Sequence, residues 1–276
     1  MTIIEDETRA PALHPFTPAA IQRSADHRYT YQGKTYPGVT TILGMLDKSG
    51  PLMSWAARQT AEAAIRLSIG EGPNGAASSF DKLYATVGEE GVIRALTSRS
   101  DWKRDEAAKL GTRVHALADD YVNGKGVPDT LPDGERTRIE TYAQWWMTSG
   151  WKLRLSEAMV VEPTDGPSGY GGYGGTFDLL AYDRDGRTVL ADVKTGKGVY
   201  REAVLQLAAY GMATYVAPAN SPTAYPMVQP DRYVILHVTE EGVREIEIDV
   251  GQMERVAFLA CITLHAWGET QKGKRL

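Results

Sequence analysis

The sequence predicts an α/β (α+β) fold in which a mixed central β-sheet is flanked by helices. Up to about residue 150, apolar side chains recur at the three- and four-residue spacing of amphipathic helices. After Gly150 the pattern changes to short runs rich in β-branched and aromatic residues, separated by glycine-containing turns. The predicted order is therefore a helical N-terminal half followed by β-β-β-α-β-β-α.

The N-terminal half is predicted to contain an arm, a hairpin and four helical segments. Residues 1–20 carry three prolines and little periodicity, which indicates a loose arm. The segment 27–43 alternates aromatic and polar residues around a turn at Gly33 and Lys34, as in a small β-hairpin. The first helical segment begins at Pro51 and the second covers 80–97. The third extends from an N-cap at Asp101 to about Val122, and the fourth covers 133–149.

The C-terminal half is predicted to hold the sheet. The predicted strands cover 157–162, 175–182, 188–194, 232–238 and 243–249, and the predicted helices cover 201–216 and 250–266. Between the first two strands lies a glycine-rich loop, in which Tyr170 and Tyr173 are candidates for stacking on bases. Residues 169–174 formally match G-x-G-x-x-G, but a strand follows them instead of a helix, so we expect no nucleotide site.

Composition narrows the function classes. With 42% hydrophobic and 24% charged residues, the chain is not wholly disordered, and its net charge of −5 argues against a protein that coats nucleic acid. The single cysteine, Cys261, excludes a disulfide framework, a multi-cysteine zinc site and a four-cysteine iron–sulfur cluster. Because the sequence has no membrane-length apolar run and no signal-peptide pattern, we expect a cytoplasmic protein without membrane contact.

Charged side chains inside two predicted strands indicate a functional site. Asp192 and Lys194 are two apart on one strand and therefore project from the same face, while Asp178 lies on the neighbouring hairpin strand. Buried charges on such strands are costly unless they are paired or bind a metal ion. Carboxylate oxygens favour Mg²⁺ or Mn²⁺ over zinc. His115, in the middle of a predicted helix, is a candidate additional ligand that would favour Mn²⁺.

Further candidates follow the second charged strand. Gln206 and Tyr210 are four residues apart and lie on one face of the predicted helix. Lys197 and Arg201 form a basic cluster beside Lys194 that could contact phosphate groups. Asp119, one helical turn beyond His115, is more simply read as part of a solvated helix face.

Together these motifs resemble the PD-(D/E)xK nuclease superfamily, specifically its RecB-like branch, which includes phage exonucleases and CRISPR adaptation nucleases. The similarity covers roughly residues 107–249 and rests on the order and spacing of four motifs. They are Gly111-x-x-x-His115, Gly175-x-x-Asp178, Asp192-x-Lys194 and Gln206-x-x-x-Tyr210. No G-x-x-x-x-G-K-[ST] motif is present, so a fused helicase–nuclease is not expected.

The resemblance implies a restriction-endonuclease-like core and a role for each matched residue. Asp178, Asp192, His115 and the Val193 carbonyl would bind Mg²⁺ or Mn²⁺. Lys194 would orient or activate the attacking water and stabilise the developing phosphorane charge. By the same resemblance, Gln206 and Tyr210 would position the DNA backbone or brace the site, and Glu157 is a further acidic candidate.

We therefore expect a metal-dependent DNA nuclease without an iron–sulfur cluster or nucleotide cofactor. Its most favoured form is an exonuclease that acts on linear DNA ends in recombination or repair, encoded by a phage and working in the host cytoplasm. A single-strand annealing or recombination protein is an expected partner. The alternatives are a structure-specific DNA endonuclease, a non-catalytic DNA-end-binding or partner-binding module, and an RNase. Residues 1–100 would form an N-terminal arm, hairpin and helical subdomain, and 101–276 the nuclease core.

Overall fold

The computed structural model describes residues 19–47, 49–71, 79–163 and 172–272. The helices are α1 (Val39–Leu43), α2 (Ser49–Ser68), α3 (Phe80–Val122), α4 (Asp133–Ser149), α5 (Arg201–Met212) and α6 (Gln252–Gln271). The strands are β1 (Gln22–Arg23), β2 (Tyr29–Tyr31), β3 (Lys34–Tyr36), β4 (Lys152–Glu162), β5 (Tyr173–Tyr182), β6 (Thr188–Lys194), β7 (Tyr215–Ala217), β8 (Tyr225–Pro226), β9 (Arg232–Val238) and β10 (Val243–Ile248). The predicted fold class, a mixed sheet flanked by helices, is confirmed.

A seven-stranded sheet orders the strands β10-β9-β6-β5-β4-β7-β8. Its described pairs are antiparallel except β6 with β9, which run parallel because α5 and the short strands after it separate them in the chain. In β6 every residue except the last is buried, as expected of a central strand, whereas the edge strand β10 contains only exposed and half-buried residues. The three-stranded antiparallel sheet β1-β2-β3 is separate.

The chain divides into two compact units. One contains the described residues up to Leu46 and from Arg113 onward, and the other contains the described residues between Asp47 and Thr112. This division differs from the expected boundary near residue 100, and it places the N-terminal hairpin with the large sheet. The reason is direct contact: the Gly174 amide donates to the Pro37 carbonyl at 3.0 Å.

The core of the larger unit is built from both faces of its sheet. A cluster of buried side chains joins α1, α5 and α6 to the central strands, with Phe258 of α6 packed edge-on against Tyr173 of β5 at 5.0 Å between ring centroids. A smaller cluster joins the three-stranded sheet to β4 and β7 through residues such as Tyr31 and Val161. Among the described residues, none lies in a helix that is long and apolar enough to cross a membrane.

Several boundaries predicted from the sequence are wrong: α6 continues to Gln271 instead of 266, β4 begins at Lys152 instead of 157, and two further helix boundaries differ. Asp101 is not an N-cap, because α3 continues through it and the interruption falls instead at Gly88, whose φ is +68°. Helix α5 ends at Met212 instead of 216 because the next residues form β7 and pair with β4 through Val160 and Val216. In contrast, β6, β9 and α4 have the predicted bounds.

Candidate active site

The strand register of β4, β5 and β6 places three carboxylates side by side. Asp178 lies between the paired residues Phe177 and Leu179 of β5, and Glu157 lies between their partners on β4, which puts Glu157 opposite Asp178. On the other side, the pairing of Leu179 with Ala191 places Asp192 of β6 next to Asp178. Three neighbouring strands therefore bring their acidic residues to one place in the sheet.

The backbone pairing between β5 and β6 ends at Leu179 and Ala191. Beyond it, the Asp178 carboxylate accepts the hydrogen bond of the next free strand amide. Its Oδ2 accepts the Val193 backbone N–H at 2.6 Å. Its Oδ1 lies 3.3 Å from Nδ1 of His115, which α3 contributes to the site. Asp178 is thereby held from two directions, by a strand amide and by a helix imidazole.

The structure brings His115, Glu157 and Asp178 close enough to hold one metal ion. One ligand atom from each lies within 4.8 Å of the others. Glu157 reaches this position with a φ of +45°, a left-handed conformation within a strand that is unfavourable for a non-glycine residue. These donors, one imidazole nitrogen and carboxylate oxygens, fit Mn²⁺ or Mg²⁺.

Asp192 supplies the second independent observation in favour of a cation. Its side chain is 2% exposed, and Oδ2 accepts no well-directed hydrogen bond from any residue that the structure describes. The Lys194 ammonium lies 2.5 Å from that oxygen as an ion-pair partner. A buried carboxylate with unused acceptor capacity is costly, and a bound metal ion would use that capacity.

A chain of polar contacts fixes Lys194 in place. Its ammonium donates to Oε1 of Gln206 at 3.4 Å, and the Gln206 amide in turn donates to the Tyr210 hydroxyl at 2.8 Å. Tyr210 is only 2% exposed, so its hydroxyl is not available to a DNA backbone. Two roles were expected for Gln206 and Tyr210: positioning the DNA backbone and bracing the site. For Tyr210 the geometry is compatible only with bracing, which it provides to Lys194 through Gln206.

The charges of the site shift one another's protonation. Burial and the charge of Asp178 raise the pKa of Asp192 to about 6, and the same two causes raise the pKa of Glu157 to about 7. Burial alone would raise the pKa of Asp178, but the charge and hydrogen bond of His115, the Lys194 charge and the Val193 amide together outweigh it and hold that pKa below its usual value.

Both basic groups stay protonated near neutral pH. Burial opposes the charge on His115, but Asp178 overrides it and raises the pKa of His115 to about 9. Burial likewise opposes the charge on Lys194, and Asp192 and Asp178 hold the pKa of Lys194 above its usual value. Near neutral pH the metal-free site therefore holds two cations, His115 and Lys194, beside three neighbouring carboxyl groups.

Two residues that were not predicted to belong to the site line it as well. A small pocket beside the carboxylates is lined by His115, Glu157 and Asp178, and also by Asp119 and Tyr142. Asp119 thus faces the site instead of forming a plain solvated surface, as its spacing from His115 on one helix face could have signalled.

The N-terminal hairpin supports the strand that carries Asp178. The Tyr29 hydroxyl lies 2.9 Å from Oγ1 of Thr176, which points from the same face as Asp178. Gly174 allows this packing, because a Cβ there would lie 2.3 Å from the Tyr29 side chain. The next residue, Gly175, allows close packing of α5 on the strand, because a Cβ there would lie 2.4 Å from the Tyr210 ring.

The residues predicted to contact DNA outside the catalytic cluster have three different outcomes. Tyr173 does not stack on bases, because it is 1% exposed and donates its hydroxyl to the Ala209 carbonyl at 2.7 Å. Tyr170 lies outside the described residues. Lys197 and Arg201 are exposed, one between β6 and α5 and the other in the first turn of α5.

No family model and no curated protein matches this chain. Among solved structures, it is similar to one titled "Crystal structure of SSO0001", with a TM-score of 0.32 and 15% sequence identity. That alignment covers 51% of this chain and 59% of the other, so this chain spans less than two thirds of that protein's length.

Proposed function

We propose that this chain is a metal-dependent deoxyribonuclease, acting as an exonuclease on linear DNA ends. The observation that carries the proposal is the convergence of His115, Asp178, Asp192 and Lys194 from α3, β5 and β6. The four groups are those that the resemblance to RecB-like nucleases assigns to catalysis. The order of the motifs along the chain and their meeting in space are independent supports.

The metal would be held by Asp178 and Asp192, with the Val193 carbonyl, His115 and Glu157 as further donors. When bound, such an ion neutralises a phosphodiester and lowers the pKa of a coordinated water. His115 carries a proton in the metal-free site, so metal binding through this imidazole requires the release of that proton.

Lys194 would act as a fixed cation. Because the pKa of Lys194 is above its usual value, the group is an ammonium that donates hydrogen bonds and cannot accept a proton. Held by Asp192 and Gln206, it can stabilise the negative charge that develops on the attacked phosphoryl group. This favours charge stabilisation and water orientation over general-base catalysis by Lys194.

Recombination or repair of linear DNA, in a phage-encoded setting with an annealing protein as partner, remains part of the proposal. The exposed cations Lys197 and Arg201, three and seven residues after Lys194, are the proposed contacts to the DNA backbone.

The experiment compares end-labelled linear duplex, closed circular DNA and RNA in Mg²⁺, Mn²⁺ or EDTA. We expect metal-dependent loss of the linear duplex only, and its absence in Asp178→Asn. Lys152→Ala, which changes an exposed lysine at the first residue of β4, is the control and should keep full activity. Equal cleavage of circular DNA would establish the endonuclease alternative, and DNA binding without cleavage in either metal would establish the binding module.

A further inference from the structure

Helix α6 carries an exposed apolar stripe that its own fold does not use. Five outward residues form it, namely Met253, Val256, Ala260, Leu264 and Trp267. The exposed fractions of the four large side chains are 75% for Met253, 51% for Val256, 51% for Leu264 and 60% for Trp267. At 3.6 residues per turn the five positions fall within an arc of about 80°. The α6 stripe is therefore one continuous ridge.

The opposite face of α6 already fulfils the role of this helix in the core. Phe258, Cys261 and Ile262 are buried there among side chains of α5 and the sheet. The core thus accounts for one apolar face of α6 and leaves the second unexplained. Exposed apolar ridges of this kind mark sites of association.

The residues around the stripe favour a protein as its occupant. Between Val256 and Gly268 the helix contains no Asp, Glu, Lys or Arg. Depletion of charge together with Met and Trp is typical of protein–protein interface cores. The nearest described cations, Arg255 and Lys272, lie toward the two ends of the stripe and none lies along its centre, whereas DNA or an anionic membrane would require cations beside the apolar ridge.

The arrangement of the stripe is self-complementary about its centre. Ala260 is the midpoint: Val256 and Leu264 lie four residues on either side of it, and Met253 and Trp267 lie seven residues on either side. A two-fold interface requires that the residue at each position meets its mirror position in the other copy. The small Ala260 would let two helices approach closely where they cross, and larger side chains would fill the space outward.

We propose that two copies of this chain associate through antiparallel packing of their α6 stripes. Ala260 meets Ala260 on the two-fold axis, Val256 meets Leu264, and Met253 meets Trp267. The stripe is about 21 Å long and one helix wide, which is less than the ~800 Å² per partner of a standard stable interface. We therefore expect a weak dimer that is populated only at high protein concentration. This proposal does not depend on the proposed nuclease activity.

Sedimentation equilibrium over about 1 to about 500 µM protein tests the association. The apparent mass should rise from 30.2 kDa toward twice that value. Leu264→Glu should weaken the association at least tenfold, whereas Met147→Glu, an exposed methionine of α4, should leave it unchanged. A constant monomer mass, or a dimer that Leu264→Glu leaves intact, would overturn the proposal.

Cysteine cross-linking tests the orientation separately. In a Cys261→Ala background, Ala260→Cys should form a disulfide-linked dimer under mild oxidation, because the two positions meet on the axis. Met253→Cys alone should not, since its two copies would be about 21 Å apart, but it should cross-link when mixed with Trp267→Cys. Rapid cross-linking of Met253→Cys to itself, or capture of a different protein in preference to a second copy, would refute the antiparallel dimer.

Discussion

Asp192→Asn should stabilise the metal-free protein while removing its metal response. Burial and the charge of Asp178 raise the pKa of Asp192 from 3.8 to about 6, so the ionised form is disfavoured in the fold, even with Lys194 beside it. One pKa unit corresponds to 1.36 kcal/mol, which gives about 3 kcal/mol at pH 8. Asparagine resembles the protonated acid and avoids this penalty.

The pH dependence of the effect has a definite sign. Because the pKa of Asp192 is raised on folding, its stabilising contribution is complete below about pH 4 and is lost as the pH rises through about 6. The difference between variant and wild type should therefore be small near pH 4 and reach its maximum above pH 7. For a chain of this size, 3 kcal/mol corresponds to a rise in melting temperature on the order of 5–10 °C.

Thermal unfolding in EDTA, and then in Mn²⁺, measures both parts. At a metal concentration about 100 times Kd, wild type should gain about 2.7 kcal/mol, and Asp192→Asn should gain much less. A variant that is less stable than wild type at pH 8 in EDTA, with a difference that does not change with pH, would refute the reasoning.

Three further predictions follow from the geometry around the carboxylates. Gly175→Ala should destabilise the protein by about 1–3 kcal/mol in urea unfolding, because its Cβ would lie 2.4 Å from the Tyr210 ring; an unchanged midpoint would contradict this packing. Mn²⁺ affinity should fall as the pH falls from 8 to 6, because His115 and Glu157, with pKa values of about 9 and about 7, must lose protons before they bind the metal. Calorimetry in buffers of different ionisation enthalpy should detect the released protons, and a pH-independent affinity would count against these ligands. Asp183→Ala should cost about 3–5 kcal/mol, since this buried carboxylate accepts hydrogen bonds from two arginine side chains and two turn amides; a loss below 1 kcal/mol would show that the turn tolerates its removal.

Local sequence patterns predict several elements of the fold correctly. The strands β6 and β9 and the helix α4 have the bounds that periodicity and turn residues predict. The short strands β1, β7 and β8 contain two or three residues each and exist only through their partners, so no local pattern could reveal them. The same tertiary pairing shortens α5.

The candidate site was predictable where its residues lie on one element and less so across elements. Spacing alone places Asp192 beside Lys194, and Gln206 on the same helix face as Tyr210. The position of Glu157 opposite Asp178 depends on the register of β4, which includes the glutamate's left-handed backbone. The burial of Tyr173 was hidden because a glycine-rich sequence on its N-terminal side suggests a loop, whereas packing against Phe258 makes it core.

The central claim is that these residues form a metal-dependent catalytic site, and Lys194→Ala tests it most directly. The measurement is the initial rate of nucleotide release from linear duplex DNA at saturating Mn²⁺, with metal binding by each protein determined separately. We predict that the variant retains metal binding and loses at least about 100-fold in rate, because a fixed cation at the attacked phosphoryl group is removed. An unchanged rate in Lys194→Ala, or no release by wild type in any metal, would contradict the account.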